Sequence, residues 1–121
     1  MIATEKIKRM FIHGTHFTQT WNNLGFTDED LRRLEQVLLE DPKSGNVIVG
    51  TGRLRKLRFN FPNQGKSGSV RVCYVDFEQF EVCYLLVVFA KNEQENLSIS
   101  ERHALKNLIT ELEKNLKERF T

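Results

Sequence analysis

Polar and apolar positions change period several times along the chain. Arg9 to His13 (Arg-Met-Phe-Ile-His) predicts a short first strand, broken by Gly14 and Thr15. Phe17, Trp21 and Leu24 then recur at helical spacing, which predicts a short or irregular helical segment with one apolar stripe. A better specified helix follows Thr27. That residue can cap it, and Asp28, Glu29 and Asp30 fill the first turn, where the helix dipole favours negative charge. Thr27 with Asp30 approximates a capping box, and Phe26 and Leu31 are placed to form a hydrophobic staple. Leu31, Leu34, Val37 and Leu38 make the expected buried stripe, and Pro42 marks the end.

Lys43 to Gly52 reads as a loop with three glycines, in which Val47, Ile48 and Val49 form an anchor or a brief extended segment. Arg53 to Phe61 is the second strand, and Pro62 to Ser69 is a polar, glycine-containing loop. Val70 to Phe77 and Phe80 to Ala90 are rich in β-branched and aromatic residues and predict two strands joined around Glu78-Gln79. The latter is apolar on both faces, as in a central, covered strand. Ser98 with Glu101, or alternatively Ser100, opens a long C-terminal helix whose apolar side is Leu105, Leu108, Ile109, Leu112 and Leu116. The expected architecture is α+β: a small four-stranded, antiparallel-rich sheet with N-terminal helices and a C-terminal helix. Helices on one face would leave the other face open. At 121 residues this is one domain, spanning 1–121.

Composition, 40% hydrophobic and 28% charged, is that of a globular protein rather than a disordered one. The net charge of +2 hides an uneven distribution. Between Ser44 and Val75 there is no Asp or Glu, yet Arg53, Arg55, Lys56, Arg58, Lys66 and Arg71 fall there. Six of the 18 basic residues lie in that window, leaving 12 against all 16 acids outside it, so a basic zone predicts the partners. The first residues lack a signal-peptide pattern, and the longest apolar run, Val82 to Ala90, is too short to span a bilayer. Two cysteines, Cys73 and Cys83, are too few for a disulfide framework. They lie symmetrically about Glu78, where a hairpin would bring them face to face, but buried free thiols in a cytoplasmic protein are the favoured expectation.

Most chemistry finds little support. His13 and His16 have no third His or Cys at metal-ligand spacing, and are better read as a strand-end and a loop residue than as an acid–base pair. His103 sits on a charged helix. Gly65-Lys66-Ser67 resembles the end of a phosphate-binding loop, but position 60 is Asn where the upstream glycine belongs. The basic strand remains. Alternation puts Leu57 and Phe59 on one face and Lys56 and Arg58 on the other, and Arg71 and Lys91 can converge on that second face. Like charges gathered so closely call for an anion, and arginine's planar fork suits phosphate oxygens. A nucleic acid bound through its phosphates is the expected partner.

Three stretches, Gly-Thr-Gly-Arg-Leu-Arg-Lys-Leu-Arg (50–58), Gly-Lys-Ser-Gly-Ser-Val-Arg-Val-Cys-Tyr (65–74) and Leu-Leu-Val-Val-Phe-Ala-Lys-Asn-Glu (85–93), resemble the RelE/HigB toxins of bacterial type II toxin–antitoxin systems. The resemblance covers nearly the whole chain. It implies a RelE/ParE-type fold and a cytoplasmic, ribosome-dependent endoribonuclease that cuts mRNA in the A site and so inhibits translation. That enzyme would need no metal and no cofactor. Its implied partners are the ribosome with its rRNA, mRNA, and a cognate DNA-binding antitoxin (HigA- or RelB-like) through which alone operator DNA is reached. The matching positions imply Lys56, Arg58, Arg71 and Lys91 as catalytic: Arg58 and Arg71 for transition-state charge, Lys56 as proton acceptor, Lys91 on the leaving oxygen or a phosphate. Packed cations lower a lysine's pKa, at about 1.4 kcal/mol per unit. Arg53, Arg55, Lys66 and Asn92 are expected to bind RNA, with Arg53 and Arg55 gripping rRNA or the antitoxin rather than the scissile phosphate. Many relatives have a tyrosine where Phe89 stands, or another near the C-terminus; here Phe89 has no hydroxyl and no tyrosine follows Lys91. Phe89 is expected either to stack on a base or, the favoured reading, to belong to the core; Tyr74 and Tyr84 are expected to be packing residues. A ParE-like inhibitor of gyrase and a non-catalytic RNA-binding module stay open as alternatives.

Overall fold

A computed structural model of the chain describes residues 6–60, 69–91 and 96–120. The elements are β1 (Met10–His13), α1 (Thr15–Asn23), α2 (Asp28–Glu40), β2 (Asn46–Val47), β3 (Arg55–Asn60), β4 (Ser69–Phe77), a 3₁₀ turn (Glu78–Phe80), β5 (Val82–Ala90) and α3 (Ile99–Arg119). The fold is α+β, as expected, with one strand more. The sheet order is β1-β5-β4-β3-β2; β1 runs parallel to β5, and the other neighbours are antiparallel. The fifth strand overlaps the expected extended segment only at Val47: Asn46 and Val47 pair with Lys56 and Arg55, while Ile48 and Val49 lie beyond it.

Both main caps form as read. The Thr27 hydroxyl accepts from the Asp30 amide at 3.1 Å, while the Asp30 carboxylate accepts from the Thr27 amide at 2.9 Å. Burial acts to raise the Asp30 pKa, but the bonds from Arg33 and Thr27 outweigh it and hold that carboxyl below the usual range. α3 starts from Ser98 rather than Ser100, because Ser98 and Glu101 exchange the two bonds of a capping box at 3.1 and 2.8 Å. Other bounds shift. β3 begins at Arg55, since Gly50 and Gly52 at φ 87° and 79° hold a turn that the buried Thr51 closes, donating to the Ile48 carbonyl and accepting from the Leu54 amide. β5 begins at Val82 because Glu81, at φ 56°, ends the 3₁₀ turn.

The expectation of an open sheet face is corrected. Phe17, Trp21, Leu34 and Leu38 of α1 and α2 bury one face against Phe59, Val72 and Leu85. Ile109 and Leu116 of α3 bury the other against Val75, Phe77 and Val82. β5 serves both layers by alternation, and a bulge switches its phase. Cys73 pairs with Val87 but Tyr74 with Leu85, so Leu86 is extra, and Leu86 and Val87 both turn to α3. The cysteines do not meet. Cys73 lies in the α3 layer and Cys83 in the α1/α2 layer, both buried and free, and burial pushes each thiol up to about 12. Leu108 and Val37 sit at the margins of their stripes, 42% and 37% exposed. Among the described residues no helix is long and apolar enough to cross a membrane.

Candidate functional site

Register decides which basic residues meet. In β3, Leu57 and Phe59 pack against the α1/α2 layer, so Lys56 and Arg58 point to the α3 side. There Lys56 stands opposite Cys73 and Arg58 directly opposite Arg71, which in turn opposes Phe89 of β5. Side chains so paired have Cβ atoms about 5 Å apart, and like charges in that position repel. Among the described residues no carboxylate forms an ion pair with Lys56, Arg58, Arg71 or Lys91. Arg58 is exposed, whereas Lys56 and Arg71 are half-buried. Lys91 follows β5 directly, two residues after Phe89, and is exposed at the same end of the sheet. The structure therefore joins Lys56, Arg58 and Arg71 on one face with Lys91 at its margin.

This face survives the docking of α3 because the helix is held elsewhere along its length. Its C-terminal half is fixed over the β4–β5 turn by an Arg53–Glu113 ion pair at 2.7 Å and by Phe120 stacked on Phe80 at 5.8 Å. At its other end, Asn96 precedes the helix and accepts from the Lys56 ammonium at 2.8 Å. Arg71 is oriented from its own strand, donating to the buried Ser69 hydroxyl at 3.2 Å. Neither contact was legible beforehand. Asn96 lies 40 residues from Lys56, and Ser69 falls at the end of a stretch whose composition is that of a loop.

Two candidate RNA-binding residues stand apart. Arg53 bonds Glu113 and the Asp76 carbonyl and lies over the Phe77 ring, 4.7 Å from its centroid. Arg55 points to the opposite face from Lys56 and donates to the Gly45 carbonyl at 2.7 Å. Gly45 can approach so closely because it lacks a Cβ, which would stand 2.9 Å from the Lys56 carbonyl oxygen. Lys66 and Asn92 lie outside the described residues.

The remaining candidates are structural in their surroundings. Phe89 is 4% exposed, so its ring belongs to the core beneath Arg71. Tyr74 is fully buried, donating to the Pro42 carbonyl at 2.8 Å and accepting from the Gly45 amide at 3.0 Å. Tyr84 packs in the α3 layer. His13 pairs with Glu35 of α2 at 2.8 Å, away from the exposed His16. Among the described residues no group of three His, Cys, Asp or Glu is placed to hold a metal ion.

What this face can do follows from its charges. Two guanidiniums side by side can each present a fork of N–H donors to the oxygens of one phosphate, with an ammonium beside them. Compared with known families, residues 8–121 match the family described as RelE toxin of RelE / RelB toxin-antitoxin system.

Proposed function

Because the chain belongs to the RelE toxin family, we propose that it is a ribosome-dependent endoribonuclease that cuts mRNA in the A site. Family membership makes it the toxin of a toxin–antitoxin pair; the cleavage chemistry is our reading of the basic face. The observation that carries it is the Arg58–Arg71 pair, opposed across β3 and β4 with no carboxylate partner among the described residues.

In this reading the ribose 2′-OH attacks the adjacent phosphorus in line with the leaving 5′-oxygen. The new 2′-O–P bond forms as the P–O5′ bond breaks, leaving a 2′,3′-cyclic phosphate and a 5′-OH. Lys56, unprotonated in the reactive complex, takes the 2′-OH proton. Arg58 and Arg71 hold the non-bridging oxygens as charge builds on them. Lys91 gives a proton to the 5′-oxygen as the P–O5′ bond breaks. Tyr84, on this side of the sheet, lies towards the other end of β5 against Phe77, so the proton transfers fall to the two lysines. The ribosome supplies the strand in an attack-ready geometry, a contribution that can be worth several kcal/mol. The antitoxin, proposed to be HigA- or RelB-like, neutralises the toxin by covering this face or by blocking access to the A site.

The test uses purified toxin with mRNA on programmed ribosomes. Codon-positioned cleavage with a 2′,3′-cyclic phosphate end supports the reading. Intact ribosome-bound mRNA contradicts it.

A further inference from the structure

We infer that Asn96 is a positioning residue for the proposed reaction: its side-chain carbonyl holds the Lys56 ammonium over the face that Arg58 and Arg71 share. The inference rests on the cleavage reading of that face. Lys56 reaches outward from β3 on a long, flexible stem, and a lysine so placed samples many rotamers unless something fixes its tip. Asn96 does so from the start of α3, at 2.8 Å. The contact ties β3 to the segment that leads into α3.

The chemistry of the acceptor matters as much as its place. An amide oxygen accepts the hydrogen bond without bringing a negative charge. A carboxylate at the same position would hold Lys56 equally well but would favour its protonated form and oppose its service as a proton acceptor. The charged and titratable groups facing Lys56 are Arg58 on its own strand, Arg71 and Cys73 on β4, and Glu101 on α3. Cys73 stays a neutral thiol beneath the lysine, and the Glu101 carboxylate is taken by the Ser98 amide. Asn96 thus positions Lys56 without adding a carboxylate to this set.

Two variants separate placement from charge. Asn96→Ala should slow single-turnover cleavage on programmed ribosomes about tenfold with little change in KM, since only the alignment of the reacting groups is lost. Asn96→Asp should keep the placement and move the acid limb of the rate–pH profile upward by about half to one unit, because the added carboxylate raises the lysine's pKa. Independently of activity, an NMR titration of the Lys56 ammonium nitrogen should show the same upward shift in free Asn96→Asp protein. If Asn96→Ala cleaves like the wild type and the Asn96→Asp profile superimposes on it, the positioning role is wrong and the cleavage reading stands. If the wild type leaves ribosome-bound mRNA intact, the cleavage reading fails; an unshifted Lys56 titration then removes the contact as well.

Discussion

Arg58 and Arg71 face one another across the β3–β4 ladder, a placement in which like charges repel and which an anion between them would relieve. Replacing Arg58 with glutamine should therefore stabilise the free protein by about 0.5 kcal/mol while lowering cleavage by two orders of magnitude or more. Urea unfolding of wild type and Arg58→Gln checks the first half, and loss of stability in the variant would show that the pair is relieved in some other way. Cys73 and Cys83 give a second residue-scale prediction. Their thiols, pushed up to about 12 by burial, should resist an aromatic disulfide reagent at pH 8 until the chain unfolds. Rapid labelling of native protein would contradict this. Residue roles were legible where they depend on alternation along one strand, as for Lys56 and Arg58. They were not legible where a distant element intervenes. Arg55 is turned to the far face and spent on the Gly45 carbonyl, and Arg53 is engaged by Glu113 of α3.

At the scale of elements, the helices were easiest to read because their signals are local. Thr27 and Ser98 each act within three residues of the groups they cap. Thr27→Ala should cost about 1 kcal/mol of unfolding free energy. The depressed pKa of Asp30 adds stability that is fully present above the usual carboxylate range and is lost as pH falls through the folded-state value. The Thr27→Ala deficit should accordingly shrink as pH falls below the usual carboxylate range and the capping carboxylate protonates. A deficit independent of pH would mean that the box contributes little. The side of the sheet that α3 covers was not legible, because an apolar stripe states that a helix packs but not against which face. Its burial residues Ile109 and Leu116 meet Val75 and Phe77, residues of β4 that carry no mark of which helix they await. β2 was nearly invisible for a different reason: two residues are too few for any period to show.

At the scale of the whole molecule, a five-stranded sheet with helices on both faces leaves Lys56, Arg58, Arg71 and Lys91 towards one end, where α3 begins and β5 stops. The covering of both layers stabilises the fold, and the cation cluster at the margin remains free to meet a polyanion. Affinity for ribosomes should fall steeply with salt, and removing Arg58 or Lys91 should each lower the log–log slope by about 0.7 to 0.9 if each contacts one phosphate. Unchanged slopes in both variants would place the RNA contacts elsewhere. The central claim is that Lys56 and Arg71 take part in cutting mRNA on the ribosome. It is tested most directly by inducing wild type and Lys56→Ala/Arg71→Ala in cells and mapping mRNA 5′ ends. The account predicts new, codon-phased ends bearing a 5′-OH with the wild type and none with the double variant. Growth arrest without such ends, or the same ends from the double variant, would contradict it.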